Sequence, residues 1–377
     1  MLLGKKIPVY NYICQSCKLL GRTGRRRADI HILGSNQFMS SGPPWNILYY
    51  GSDDFSKRQL EVIHQEGLLN GTLINKLNVV TTSKRCPVYK YAEKHNLELV
   101  KWPHDPLPTG YDVGIVVSFG HLIPSAVIQT FPRGMINVHP SLLPRWRGAA
   151  PMIHTILAGD KTTGVSLMKI TPHKFDIGPV LIQKSVQMEP AWTHSQLSAQ
   201  LAKEGSNMLL HYLGDIDNIE EQAVSQGSDG VTHAHKVLPQ HAVINWHQQS
   251  CDDIHRQYRA FQGVFELKSL FGSIPVRLKN MMSPSQFQEL GIAKSIPKYH
   301  PEPVEPGTPC FHKPSATLCI KCKDGWVGFQ QIQIKKWISA KAFYNGYLSK
   351  QEYNTYKDTN FKSMDNELYE YFPVKEL

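Results

Sequence analysis

The sequence predicts two domains of different class: an α/β domain on a mainly parallel, Rossmann-like sheet, then a small all-β domain, a barrel or a sandwich. Three observations carry this. From Trp45 to Leu213, continuously apolar runs of strand length alternate with helical patterns. Between residues 214 and 240 that periodicity gives way to Gly, Ser, Asp and Gln, as at a domain boundary. From residue 241 to 350, short strands are separated by turn residues. Apolar residues make up 41% of the 377-residue chain, enough for two cores. No apolar run is long enough to span a bilayer.

Residues 1–44 read as a transit peptide and linker. Residues 1–28 hold seven Lys/Arg and no acid, the composition of a mitochondrial targeting segment. The uninterrupted apolar stretch of a secretory signal is missing, and a plain basic tail is the other reading. Ser40 to Pro44 (SSGPP) is the linker. WNILYYG follows as a buried strand, and DDFSKRQLEVIHQEG as a helix with Asp53 or Asp54 as N-cap. NKLNVVTT is a strand, Pro87 starts a helix running through His95, and LELVKW is a strand. VGIVVSFG (113–120) and GMINVHP are further strands, flanking a short helix in PSAVIQTF. GAAPMIHTILAGD is helical, TGVSLMKIT and GPVLIQKSVQM are strands, and Thr193 with Gln196 caps a helix to Leu213.

The α/β domain is thus 45–213, the linker 214–240, the small β domain 241–350 and a tail 351–377. In the β domain, a helix is expected near Asp252–Ala260, and CIKCKDGWVGFQQIQI is a hairpin turning at Asp324–Gly325.

The net charge of +10 is uneven. Seven positive charges sit in the leader and +5 in residues 236–377 (18 basic, 13 acidic), which leaves −2 between them. A basic C-terminal segment suits a polyanionic partner, and a solvated lysine face is the alternative. The seven cysteines form no disulfide framework. Cys14 with Cys17 and Cys319 with Cys322 have half-site spacing for zinc. Strand alternation, however, sends Cys319 and Cys322 to opposite faces, which argues against metal.

In open parallel sheets, ligands bind outside the carboxyl ends of the strands. Asn137 and His139 stand at such an end in INVHPSLLPRWRG, on the same side of the strand, with Val138 opposite. SFGH (118–121) ends a neighbouring strand, and Asp176 in FDIGPV lies in a loop between two strands. An amide, an imidazole and a carboxylate suit amine attack on an acyl carbon. The first two can donate to the developing oxyanion, while the carboxylate steadies the imidazolium or accepts a proton. No glycine-flanked nucleophile elbow surrounds Ser141. Singly, each residue also fits a structural role: His139 a buried histidine, Asn137 a turn former, Asp176 an Asx-turn. The residues alone reach an α/β transferase or hydrolase.

NVHPSLLPRWRGAAP, then GD-x-x-TGV and FDIGPV, closely resembles the folate-dependent formyltransferases. The stretch PRWRGAAPMIHTILAGDKTTGVSLMKITPHKFDIGPV is most similar to the branch acting on methionyl-tRNA, and together with the acid-free leader the whole points to its mitochondrial form. CKDGWVGFQQIQIKKWISAKAFYNGYL resembles the tRNA-binding barrel of that branch, which implies an OB-like β-barrel over residues 241–350. The likeness spans about residues 45 to 350.

It implies catalytic roles for Asn137, His139 and Asp176, with 10-formyltetrahydrofolate as donor, methionyl-tRNA as acceptor and no metal. Ser141, Leu142, Leu143 and Pro144 would shape the folate side of the pocket. Arg145, Arg147, Lys335 and Lys336 are the candidate tRNA contacts; a solvated rim is the other reading of the two arginines. Residues 310–350 hold seven lysines and one acid, a pattern that suits RNA backbone binding. A mitochondrial matrix location and a monomer, without membrane insertion, complete the expectation.

Two departures stand out. GSDDF (51–55) replaces the family's Gly-Thr-Pro-Asp-Phe. Only TTSKRCP lies between Val80 and Val88, where bacterial members carry a longer Gly/Arg-rich loop, so Lys84 and Arg85 are the basic groups left there. Two other functions share the same residues: formylation of a small amine such as a purine ribotide or amino-sugar nucleotide, and RNA binding on a scaffold without catalysis.

Overall fold

The computed structural model describes residues 42–172, 174–296, 303–349 and 360–363. The leader and most of the tail lie outside the described residues, so the transit-peptide expectation is not addressed by the fold. In the first domain the strands are β1 (Trp45–Gly51), β2 (Ile74–Val80), β3 (Leu99–Val100), β4 (Val113–Val117) and β5 (Met135–His139). They continue with β6 (Arg147–Gly148), β7 (Thr162–Lys169), β8 (Val180–Gln187) and β9 (His233–Ala234). Its helices are α1 (Asp54–Val62), α2 (Pro87–Lys94), α3 (Ser125–Ile128), α4 (Pro151–Ala158), α5 (His194–Gly214) and α6 (Ile216–Glu221).

The main sheet has the order β3-β2-β1-β4-β5-β7-β8. β3, β2, β1, β4 and β5 are mutually parallel, whereas β7 runs antiparallel to β5 and β8 to β7. Chain order reverses between β1 and β4, so the ligand crevice of such a sheet opens at their carboxyl ends. Both faces are covered, which is why Ile47–Tyr50 of β1 and the whole of β4 read as apolar runs.

Helix ends follow local chemistry. Asp53 caps α1 by accepting from the Ser56 amide at 2.9 Å, and burial pushes its carboxyl above the usual range. Pro87 opens α2, and Gly159 closes α4 in the left-handed region. Thr193 and Gln196 form the reciprocal cap of α5. That helix buries Leu197, Leu201 and Leu209 against the sheet. Each such side chain contributes about 1.5–3 kcal/mol, so Leu201→Ala would cost about 2–5 kcal/mol.

The second domain contains α7 (Cys251–Phe261), β10 (Leu267–Phe271), β11 (Ile274–Met281), α8 (Pro284–Glu289) and α9 (Ile292–Ser295). It ends with β12 (Pro309–His312), β13 (Thr317–Lys321), β14 (Trp326–Gln333), β15 (Trp337–Ser339), α10 (Ala340–Phe343) and β16 (Phe361–Lys362). The strands form one antiparallel sheet, β12-β13-β14-β11-β10-β16, with β15 paired to β14. Trp246, Phe271 and Phe329 are fully buried beneath it. The sheet reaches past residue 350: Phe361 pairs with Phe271 and is buried, although its surroundings in sequence give no strand pattern.

Residues 214–240 contain α6 and β9, and β9 pairs with β6 beside the end of β5. The polar composition of this segment does not leave it as a free connector. No helix among the described residues is long and apolar enough to cross a membrane.

Candidate active site

β5 lies between β4 and β7, with Asn137 opposite Val116 and His139 opposite Ser166. Val138 packs toward α5, where a Cβ on Gly205 would come within 2.9 Å of it. Alternation therefore turns Asn137 and His139 to the opposite face, at the strand's carboxyl end. His139 is 4% exposed. A buried imidazole and a half-buried amide need partners, and the partners define the site.

The loop between β7 and β8 brings Asp176 to them. Asn137 Nδ2 donates to Asp176 Oδ1 at 3.3 Å, and His139 Nδ1 lies 3.7 Å from the same oxygen. The other carboxylate oxygen accepts from the Gly148 amide at 2.9 Å. The three expected residues, 39 positions apart between Asn137 and Asp176, thus meet at one point.

The imidazole is oriented from its far side. A carbonyl only accepts, so His139 Nε2 carries a proton and donates it to Trp146 O at 2.9 Å. Sequence reasoning aimed an imidazole N–H at a substrate oxygen. The geometry commits Nε2 to the backbone and leaves Nδ1 facing the carboxylate.

Strained backbone surrounds this point. Ser118, Trp146 and Asp176 all have positive φ, of 45°, 61° and 54°. For a residue such as Trp146 that conformation costs roughly 1–2 kcal/mol, so neighbouring contacts must hold it. Trp146 N donates to Thr232 Oγ1 at 2.8 Å, and its indole Nε1 donates to Asp160 Oδ2 at 2.8 Å. Gly178 has to be glycine, since a Cβ there would sit 1.8 Å from Lys169 O. That close approach fixes the loop on which Asp176 rides.

Gln226 is a second brace. Its Nε2 donates to the carbonyls of Asp176 (3.0 Å) and Gly178 (2.8 Å), and its Oε1 accepts from the Arg147 guanidinium at 2.7 and 3.0 Å. Sequence reasoning missed Gln226 and Thr232, which sit in the polar stretch read as linker. Nothing in their local pattern distinguishes them from ordinary loop residues.

The Ser141–Pro144 loop is pinned to the sheet. Ser141 is fully buried and donates to Arg145 O at 2.6 Å, while its own carbonyl accepts from Ser166 Oγ at 2.7 Å. Leu143 is also buried, with its amide on Ser166 Oγ and its carbonyl on Gln183 Nε2. Leu142 packs so closely on Gly164 that a Cβ there would clash at 2.6 Å. Ser141 and Leu143 are therefore loop framework, and Leu142 and Pro144 are the more accessible members.

The four basic candidates do not share one surface role. Arg145 forms a two-pronged pair with Asp160 (2.6 and 2.9 Å) and stacks 4.4 Å from the Trp146 ring centroid. Arg147 is held by Gln226. Both arginines are thus part of the frame around the site. Lys335 and Lys336 lie exposed in the turn from β14 to β15, and Lys84 and Arg85 are exposed before α2.

Comparison with known proteins follows the same division. Residues 73–213 match the formyl transferase family model, and residues 236–348 match that of the formyl transferase C-terminal domain. A mitochondrial methionyl-tRNA formyltransferase of Mus musculus is 39% identical over 315 residues, covering 81% of this chain and 79% of that protein. A methionyl-tRNA formyltransferase of Ehrlichia canis is 38% identical over 185 residues, 47% of this chain and 59% of that protein. Among solved structures, a HypX variant from Aquifex aeolicus aligns with a TM-score of 0.55 at 16% identity, covering 81% of this chain and 48% of its own. WlaRD, a sugar 3N-formyl transferase, aligns with a TM-score of 0.52 at 16% identity, covering 76% and 97%. The structural likenesses establish the fold, and with the sequence matches they show that the chain belongs to the formyl transferase family.

Proposed function

We propose that this chain transfers the formyl group of 10-formyltetrahydrofolate to the α-amine of methionyl-tRNA, giving formylmethionyl-tRNA. The convergence of Asn137, His139 and Asp176 at the end of β5 carries the reading. The relatives named methionyl-tRNA formyltransferase, which match across both domains, support this acceptor. Those relatives are also named mitochondrial, and the acid-free leader agrees, so we place the enzyme in the mitochondrial matrix.

The amine nitrogen attacks the formyl carbon and the carbonyl oxygen becomes negative. Asn137 spends one amide hydrogen on Asp176, and its second, which has no acceptor among the described residues, donates to that oxygen. Losing one such preorganised donor typically costs about 2.7–4 kcal/mol. His139 Nδ1 takes the proton shed by the amine, and Asp176 holds the imidazolium so formed. The bond from the formyl carbon to the folate nitrogen then breaks, and that nitrogen receives the proton. The pinned Ser141–Pro144 loop gives the folate ring a rigid wall, through Leu142 and Pro144.

The exposed Lys335 and Lys336, among the lysines of the C-terminal sheet, favour a polyanionic acceptor over a small amine. Supplying 10-formyltetrahydrofolate with charged methionyl-tRNA should yield formylmethionine. A chain that binds tRNA without turnover, or that formylates an amino-sugar nucleotide in its place, would refute the reading.

A further inference from the structure

Strand alternation separates Cys319 from Cys322, as the sequence indicates: Cys319 lies opposite Cys310 on β12. Cys322 instead meets a residue 71 positions away. Its Sγ lies 3.4 Å from Sγ of Cys251, the first residue of α7. Asp324, two residues on in the turn between β13 and β14, joins them. Its Oδ1 is 3.7 Å from Cys322 Sγ and accepts from the Cys251 amide at 2.8 Å. One ligand atom from each of the three side chains falls within 4.8 Å of the others.

We infer that Cys251, Cys322 and Asp324 form a zinc site that clips helix α7 to the β13–β14 hairpin. Zinc bonds of about 2.3 Å to sulfur and 2.0–2.2 Å to oxygen give tetrahedral edges of roughly 3.8 Å (S to S) and 3.5 Å (S to O). The observed separations of 3.4 and 3.7 Å lie close to both. A carboxylate beside two sulfurs is a donor set for a cation, and a disulfide has no use for it. Thiolates select zinc over magnesium or calcium.

Room for the cluster is built in. A Cβ on Gly325 would come 2.7 Å from Cys251 Sγ, so a side chain at that position would push the thiol away from Cys322. Cys251 also lines a cleft of about 370 Å³, together with His255, Phe287 and Trp326. With three protein ligands the site would be of the open type, its fourth position left to water from that cleft. The clip would reinforce the hydrogen bond from the Cys251 amide to Asp324 that already joins α7 to the hairpin, and α7 in turn packs on α4 of the first domain.

The test is a cobalt titration of the full chain, stripped with chelator and kept reduced. One equivalent should bind, with the visible bands of tetrahedral cobalt and a thiolate charge-transfer band, and zinc should displace it. Cys251→Ser and Cys322→Ser should each abolish the charge-transfer signal at one equivalent, whereas Cys310→Ser should keep it. Asp324→Asn preserves the turn chemistry and should weaken cobalt binding at least tenfold. Zinc should raise Tm of the unmodified chain but not of Cys322→Ser. A chain that takes up no cobalt, a signal surviving in both serine variants, or a Cys251–Cys322 disulfide in the protein handled without reductant would overturn the assignment.

Discussion

Asp176 Oδ1 lies 3.7 Å from His139 Nδ1 and accepts from Asn137 at 3.3 Å, so one carboxylate oxygen is shared by an imidazole and an amide. The second oxygen is held by the Gly148 amide. The carboxylate therefore has little freedom to rotate, and the pair it makes with His139 depends on backbone supplied by two loops.

Gln226 should matter to catalysis through that loop. Replacing it with Ala removes two donors from the carbonyls of Asp176 and Gly178 and the acceptor from Arg147. We expect kcat to fall at least tenfold with KM for folate and tRNA little changed. The Gln226→Ala and Arg147→Ala effects should be markedly non-additive, because both act on one network. Additive effects, or a change confined to KM for tRNA, would contradict this role.

Arg145 tests the difference between a structural and a nucleic-acid role. Its guanidinium is paired with Asp160, which also holds the Trp146 indole. Arg145→Ala and Asp160→Ala should each lower Tm, with the double variant little worse than either. A phosphate-binding Arg145 would show the reverse pattern: a raised KM for tRNA at unchanged Tm.

Lys335 and Lys336 should act by charge alone. Changing both to Ala should raise KM for tRNA several-fold and reduce its logarithmic dependence on salt by about 1–2, since each phosphate contact contributes a slope near 0.7–0.9. Circular dichroism and Tm should stay at the values of the unmodified chain. An unchanged salt slope would remove these lysines from the interface.

Lys268 on β10 stands opposite Arg277 on β11, and burial, with the neighbouring guanidinium second, lowers its pKa to about 8. An unfolded lysine titrates near 10.4, so the unfolded chain binds more protons between those values and stability rises with pH there. The penalty is full below about pH 8 and gone above about 10.4. The Tm difference, Lys268→Met minus the unmodified chain, should therefore shrink steadily as pH is raised from 8 to 10. A difference that is flat across that window would show that Lys268 is not held in this way.

Much of this was legible in the residues. An N-cap at Asp53 or Asp54, the Thr193–Gln196 cap, the β5 carboxyl end and the Asp324–Gly325 turn all depend on neighbours within a few positions, which a sequence displays directly. Asn137 and His139 could be placed because strand alternation fixes their side. What was hidden depends on distant meetings between short or patternless segments. β6 and β9 are two residues each, so the pairing that brings Thr232 to Trp146 has no periodicity to read. Gln226 braces Asp176 from a polar stretch that resembles any connector. Cys322 has its nearer cysteine in sequence on the wrong face, and its actual neighbour 71 positions away on α7. The chain's use of Arg145 and Arg147 to frame the site, when their charge suggested a ligand, has the same origin.

The most direct test of the proposed catalysis is single-turnover formyl transfer by His139→Ala, with methionyl-tRNA and formyl-folate both saturating. The rate should fall by two orders of magnitude or more while Kd for each substrate stays within a few-fold of the unmodified enzyme. Transfer at the normal rate would contradict the roles given to His139 and Asp176.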